Sequence, residues 1–492
     1  MTIALPAVGL SRSAIKLRQA WIMLVAAGLV GCTTGPDFKR PAPPVVQSYT
    51  AGKLPVAFAS SPTALGDAQG AVQAPSDHIW WRQFGSRKLD DLIGQALQSN
   101  PTLDAAQATL RQAEETYAAQ AGTTLYPVAN AQLGLQRQRI SPAQQGQLGP
   151  ERTFSLYNAS VGVSYNLDLA GGNRRALEAL AAQADYQRYQ LKGARLTVAA
   201  NIVTTAITQA QLAGQIAASE AILAAQASQL DLTRQRLALG NASEPDVLAL
   251  QTQVEQTRAS IVPLRNRLEQ TNHLLAILAG LPPAATGLPH FILTDFHLPR
   301  QLPLSVPSEL VRQRPDIRAS EALLHVASAQ YGVAVSRLYP QITLSGSLGS
   351  QALTTAGLFG PGSLVWGLAG QLAQPLFNAG LRPAARGAEA GFDAAAANYK
   401  ATVLQALRNV ADVLRALDDD AQYLQAQSAA NIASQQSLEL VQRQYRLGAA
   451  NYVQLLVAQQ QAQQTRINLI AAQAQRLADS AAFYQAMGNG PA

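Results

Sequence analysis

Cysteine is almost missing from this chain: Cys32 is the only one in 492 residues. A single thiol excludes a disulfide framework and any cysteine-based metal set. Charge is also scarce, at 14% of residues, and aromatic residues supply only 6%. Of the five histidines (His78, His273, His290, His297 and His325) only His290 and His297 are near in sequence, and no acidic cluster completes a ligand set beside them. The run Asp418-Asp419-Asp420 reads as the solvated face of a polar helix rather than a metal site. No phosphate loop, nucleophile elbow or paired acid–base motif occurs, so neither an enzyme nor a bound cofactor or metal is expected. The net charge of +7 is spread along the chain, which argues against nucleic-acid binding. Proline is absent from residues 172–244 and 384–490, and Ala and Gln are abundant. That mixture suits long helices that face both neighbours and water.

The first 31 residues read as an export signal. Arg12, Lys16 and Arg18 form a positive start, and residues 20–31 form an apolar stretch too short to span a bilayer comfortably. The ending Leu29-Val30-Gly31-Cys32 resembles the lipobox of bacterial lipoproteins, where the cysteine becomes the new N-terminus and carries acyl chains. Cys32 is therefore the expected lipidation site; the alternative is a buried free cysteine inside an uncleaved anchor. Thr33, not aspartate, follows it, which under the enterobacterial sorting rule implies the outer membrane. Cleavage would remove three positive charges and no acids, lowering +7 to about +4.

The chain then states one pattern twice. Leu239-Gly240, Leu248, Gln251, Gln253, Gln256, Thr257 and Arg258 recur at an offset of 208 as Leu447-Gly448, Leu456, Gln459, Gln461, Gln464, Thr465 and Arg466. Asn100-Pro101 and Leu125-Tyr126-Pro127 echo as Arg314-Pro315 and Leu338-Tyr339-Pro340 at offsets of 213 to 214. A period this long is the duplication of a whole module, not a solenoid repeat. The expected divisions are a signal at 1–31, a leader at 32–85, a first repeat at 86–280, a proline-rich linker at 281–306 and a second repeat at 307–492.

Within each repeat the apolar period changes. Residues 86–121 keep helical spacing through Leu89, Leu92, Ile93, Ala96 and Leu97, behind Trp80 and Trp81, which read as packing anchors. Strict alternation comes next, at 129–135 and at 157–169, and again around Ile342, Leu344 and Leu348 and around Leu364, Trp366, Leu368 and Leu372. Such alternation marks strands wet on one face, either in a membrane barrel or in an ordinary soluble hairpin. Residues 173–238 then form a helical run that, at about 1.5 Å per residue, would measure roughly 100 Å. It stops at Leu239-Gly240-Asn241 and returns as a helix over 243–279. Two such halves predict an α+β membrane protein with long antiparallel helical hairpins and four strands per chain. Four strands cannot close a barrel, which needs at least about eight, so oligomerisation is required. A homotrimer with a 12-stranded barrel and a 12-helix tunnel is the simplest solution.

The order of motifs is specific: the lipobox, Gly35-Pro36-Asp37-Phe38-Lys39-Arg40-Pro41, Trp80-Trp81-x-x-Phe84, Asn100-Pro101, Leu125-Tyr126-Pro127, Asp168-Leu169-x-Gly171, Arg314-Pro315-Asp316-Ile317, Leu338-Tyr339-Pro340 and Gln374-Pro375-Leu376-Phe377. From Gly35 onward it resembles the outer-membrane factor (TolC-like) family, and within it the lipoprotein, NodT-type branch. The resemblance implies a trimeric outer-membrane exit duct reaching into the periplasm. Its partners would be a periplasmic adaptor and an inner-membrane pump of the RND type, and it would pass drugs and other small molecules passively. It also implies that Leu239, Gly240, Leu447 and Gly448 are the adaptor-docking tips, and that Asp246 and Tyr445 line the periplasmic aperture. Gln454 and Val457 stand at aperture positions that are acidic in the best-known relatives, so no acidic ring is implied here. Tyr165-Asn166 stands where relatives usually carry Trp-Glu. Two other readings compete: a lipid-anchored periplasmic adaptor or scaffold, and a duct for type I protein secretion.

Overall fold

The computed structural model describes residues 34–46, 48–52, 55, 57–73, 78–141, 150–488 and 490; Cys32 and the expected export signal lie outside the described residues. Along the chain the order is β1 (Gly70–Val72), a 3-10 turn at Trp80–Phe84, α1 (Arg87–Ser99), α2 (Pro101–Leu125), β2 (Val128–Ile140), β3 (Arg152–Leu167), α3 (Gly172–Ala238), α4 (Glu244–Leu278), a 3-10 turn at Leu293–Asp295, β4 (Gln301–Pro303), α5 (Pro307–Gln313), α6 (Pro315–Ser336), β5 (Gln341–Ala352), β6 (Leu364–Ala373), α7 (Leu381–Arg446) and α8 (Tyr452–Met487). Helix, helix, strand, strand, long helix and returning helix thus occur twice.

One continuous helix is expected over 86–121, but the structure has two. Asn100 is extended, with ψ 119°, and Arg314 takes the same role in the second repeat with ψ 125°. Each precedes a proline, whose ring clashes with a helical predecessor. The break is used: Asn100 Nδ2 donates to the Leu278 carbonyl at 2.8 Å, and its Oδ1 accepts from the Thr102 N–H at 2.9 Å. Arg314 reaches the carbonyls of Ala486 and Ala406 at 2.9 and 3.3 Å.

The chain forms two compact units, and each draws on both repeats. Of the described residues, the first comprises those within 34–40, 111–185 and 321–398 and holds an antiparallel sheet of order β2-β3-β5-β6. The second comprises the described residues within 41–110, 186–320 and 399–490 and contains the main apolar core. There Trp80 stacks on Tyr484 at a centroid separation of 5.3 Å, among Phe84, Leu89, Ile93, Ile202 and Leu477.

The Pro-, Ala- and Ser-rich composition of the leader to about Asp77 predicts a segment extended and wrapped on the surface or partly mobile. Its second part is instead pinned into the core unit. β1 pairs in parallel with β4 of the linker. The fully buried Arg476 of α8 donates to the carbonyls of Leu65, Asp67 and Ala59. Gln473 and Gln69 add hydrogen bonds on either side, to Thr63 and Ala64, and to Pro299 and Ser480. A buried guanidinium with no carboxylate in contact must spend its donors on backbone oxygens, and the leader supplies three.

Candidate functional site

Strand register sorts the sheet of the first unit into two faces. One carries the rows Leu167/Ile342/Leu372, Tyr165/Leu344/Gly370, Ala129/Val163/Gly346/Leu368, Ala131/Val161/Leu348/Trp366, Leu133/Ala159/Ser350/Leu364 and Leu135/Tyr157/Ala352. Most of its large apolar side chains on β2, β5 and β6 are exposed, Leu133 and Leu368 at 81% each and Trp366 at 72%, while Tyr157, Tyr165 and Leu167 are half-buried and Ser350 is buried. The opposite face alternates with them and carries Asn130, Gln132, Asn158, Ser160, Ser164, Asn166, Thr343, Ser345 and Gln371. Water covers amides and hydroxyls at little cost, but a continuous uncovered apolar face of this extent calls for an apolar solvent or a partner. No helix among the described residues is long and apolar enough to cross a membrane.

The second unit holds the two hairpin ends, and they repeat atom for atom. α3 closes with Gly240 at φ +73°, whose N–H donates to Leu237 O at 2.9 Å while the Asn241 N–H donates to Arg236 O at 2.8 Å. α7 closes with Gly448 at φ +75°, with Gly448 N–H to Tyr445 O at 3.1 Å and Ala449 N–H to Gln444 O at 2.8 Å. These are paired Schellman closures, and they leave Leu239 and Leu447 76% and 83% exposed at the two tips.

The returning helices start with reciprocal caps. The Asp246 carboxylate accepts from the Ser243 N–H at 3.2 Å and the Ser243 hydroxyl at 2.6 Å. At the equivalent place, Gln454 Oε1 accepts from the Asn451 N–H and Asn451 Oδ1 from the Gln454 N–H, both at 2.9 Å. Asp246 and Gln454, two of the four residues named for the aperture, are thus third-position capping partners of their helices. Tyr445 lies edge-on to Tyr452 at 6.4 Å, under the Arg236 guanidinium at 5.8 Å, and packs against the cluster of Leu230, Val247, Leu250 and Val254. Burial, then the charges of Tyr445 and Asp246, push the Tyr452 phenol up to about 12. Val457 is exposed on α8. The structure thus packs Tyr445 between Arg236 and Tyr452, leaves Val457 bare, and gives Asp246 and Gln454 a capping duty.

Two polar constructions escaped sequence reasoning. In the first unit, Arg175 of α3 is buried and donates to Asp37 at 2.6 Å and Glu178 at 2.7 Å. His325 of α6 bonds Glu178 at 2.7 Å and stacks on Phe38 at 4.2 Å, and Arg40 pairs with Glu321 at 2.7 Å. Burial alone would raise the Glu178 carboxyl; the hydrogen bonds from Arg175 and His325 overcome it and hold the group below the usual range. This cluster explains the Asp-Phe-Lys-Arg motif: its side chains seat the leader. In the second unit, Asp420 is not simply solvated. It faces Asp479 of α8, whose Oδ1 accepts from Gln475 at 3.0 Å while its buried Oδ2 has no hydrogen-bond partner; burial, then Asp420, push the Asp479 carboxyl up to about 8. Asp418 pairs with Arg415 at 3.7 Å. The acidic run was visible in the sequence; its partner on α8 was not.

Two stretches, residues 92–281 and 306–489, match the family model described as outer membrane efflux protein. The chain belongs to this family. The pyoverdine export outer membrane protein OpmQ of Pseudomonas putida is 31% identical over 478 residues, covering 96% of the chain and 97% of the relative. The toluene efflux pump outer membrane protein TtgC of Pseudomonas putida is 29% identical over 469 residues, covering 94% and 93%. Among solved structures, the outer-membrane channel OprN superposes with a TM-score of 0.84 at 26% identity, covering 93% of this chain and 99% of that one. CusC shares the fold at 22% identity, with a TM-score of 0.81 and coverage of 93% and 100%. This outer membrane efflux protein is therefore a transport protein of the outer membrane, an efflux channel built from duplicated halves with four strands and long helical hairpins. The adaptor-only reading is overturned, because the family match takes in both halves together with their strands.

Proposed function

We propose that three copies of this chain close a 12-stranded barrel and form the passive outer-membrane duct of a tripartite efflux system. The observation that carries this is the sheet itself. It presents one bare apolar face and one polar face, and among the described residues the outer edges of β2 and β6 have no strand partner. Lipid tolerates the first and punishes the last, and closure by further copies satisfies both. A periplasmic adaptor would dock at Leu239, Gly240, Leu447 and Gly448, whose side chains and backbone stand clear of their own chain. Asp246, Tyr445, Gln454 and Val457 would line the periplasmic aperture, and an inner-membrane pump of the RND type would supply the energy. Relatives named for pyoverdine, antibiotics and toluene support small, chemically varied cargo.

Lipidation at Cys32 fits the same reading. Thr34 donates twice to the carbonyl of Ala170, just beyond the end of β3, at 3.1 Å from its N–H and 2.7 Å from its hydroxyl. Two residues reach at most about 7 Å, so an acyl chain on Cys32 would start beside the strand end and enter the adjacent leaflet.

The test is single-channel conductance in planar bilayers. Asp246→Ala removes both the charge and the cap, whereas Asp246→Asn keeps an acceptor for the Ser243 N–H. A small, steady wild-type conductance that rises in both variants assigns the constriction to the tips through charge. A rise in Asp246→Ala alone assigns it to helix capping. Correctly assembled trimers that never conduct would defeat the duct.

A further inference from the structure

The apolar face of the sheet stops abruptly at one end and gives way to basic residues. Along β3, the band runs from Leu167 to Tyr157, ten residue steps, which at about 3.4 Å per step is roughly 34 Å of strand. Tilted at about 40°, that is a height near 26 Å, the thickness of an outer-membrane apolar band. The next two rows on the same face are Arg137 opposite Ser155 and Arg139 opposite Thr153. Both arginines are exposed, and Arg139 is ion-paired with Glu151 on the neighbouring strand connection. They lie at the end of β2 remote from α2, so in a barrel whose helices enter the periplasm they stand at the outer leaflet. Arg152 lies at the same height, but its register partner is Ile140, on the polar face.

The geometry points to Arg137 and Arg139 as a lipid-facing site for the phosphates of the outer leaflet's glycolipid, lipopolysaccharide. This rests on the barrel reading above. A guanidinium two residues beyond the last apolar row sits about 5 Å above the hydrocarbon edge, where the glycolipid phosphates lie, and its planar fork matches their oxygens in a bidentate fashion. Glu151 tempers the site by holding Arg139, so Arg137 makes the dominant contact. A trimer would carry three such sites, each on the outside of the wall.

Native mass spectrometry of full-length trimers reads assembly and bound lipid together. Wild type, Arg137→Gln/Arg139→Gln, Arg137→Gln alone and Arg152→Gln would each be titrated with bis-phosphorylated lipid A, dephosphorylated lipid A and phosphatidylglycerol. The expected result is at least fivefold weaker retention of bis-phosphorylated lipid A by the double variant, most of it already present in Arg137→Gln. Arg152→Gln should bind like wild type, and dephosphorylated lipid A should bind wild type as weakly as it binds the double variant. Equal retention by wild type and double variant overturns the proposal, as does an equal loss in Arg152→Gln, which would reduce the effect to net charge. Preference for phosphatidylglycerol over lipid A also overturns it. Wild-type trimers that bind lipid but never conduct in bilayers would reject the barrel reading instead.

Discussion

At the scale of single residues, the informative positions are polar groups placed where water is scarce. Asp479 is the sharpest. Burial, then Asp420, push its carboxyl up to about 8. The folded chain therefore keeps a proton that the unfolded chain releases near pH 4. Its contribution to stability is complete below about pH 4, declines as pH rises, and is spent above about pH 8. Asp479→Asn removes the titration while keeping an amide that can accept from Gln475 and donate to Asp420. The variant should match wild type in thermal melts at pH 4 and gain steadily over it up to pH 8. Parallel melting curves across that range would show that Asp479 does not hold its proton in the folded chain. Arg476 gives a second prediction. Arg476→Gln leaves at least two partly buried carbonyls of the leader without donors, a loss of roughly 2 kcal/mol confined to that segment. Proteolytic cleavage around residues 59–67 should accelerate at least tenfold while the helices stay resistant. Unchanged cleavage would mean that β1 and Gln69 hold the leader without it.

At the scale of elements, the two hairpin ends show which turns tolerate change. Gly240 and Gly448 are left-handed, but a β-carbon on either would meet nothing within 4 Å. Gly488 is also left-handed, at φ +75°, and a β-carbon there would lie 2.7 Å from Arg314 Cγ and 2.9 Å from Arg314 Cα. Gly240→Ala should therefore cost about 1 kcal/mol, seen as faster hydrogen exchange near the tip with little change in melting. Gly488→Ala adds a backbone clash to the strain and should cost on the order of 3 kcal/mol, lowering the melting temperature outright. Equal effects at the two sites would remove the distinction. These ends also mark how far the sequence could be read. Leu-Gly at 239–240 and 447–448 announced both turns because a left-handed closure needs glycine, and period-2 alternation announced the strands because one face is apolar. The strand ends were harder: β2 runs on to Ile140, past the expected 135, because Arg137 and Arg139 break the alternation while hydrogen bonding continues. The capping roles of Asp246 and Gln454 were legible in Ser243-x-x-Asp246 and Asn451-x-x-Gln454, because a capping box needs only a side-chain acceptor at the third helical position. The Arg175–Glu178–His325 cluster was hidden for a different reason, since its members are separated by up to 150 residues and no local pattern brings Asp37 to them.

At the scale of the whole molecule, the scarcity of charge becomes a property of transport. On the polar face of β2, β3, β5 and β6, Arg152 is the one charged residue among those described, at the outer end. The rest are amides, hydroxyls, glycines and a few apolar side chains. In the proposed trimer this face lines the barrel, so the barrel should sort neither cations from anions nor acidic from basic cargo. A cation preference would then be expected at the proposed aperture, where Asp246 would contribute three carboxylates and the equivalent Gln454 none. In a tenfold potassium chloride gradient, wild-type channels should therefore show a modest cation preference that Asp246→Asn largely abolishes. Ser345→Asp, which sets three carboxylates in mid-barrel, should restore it without Asp246, because charges on a pore wall concentrate counter-ions within a Debye length of about 10 Å. A strong wild-type preference that survives Asp246→Asn would place a selective charge elsewhere and contradict a neutral barrel. A preference for anions would point to Arg152 at the mouth, which Arg152→Gln would then erase.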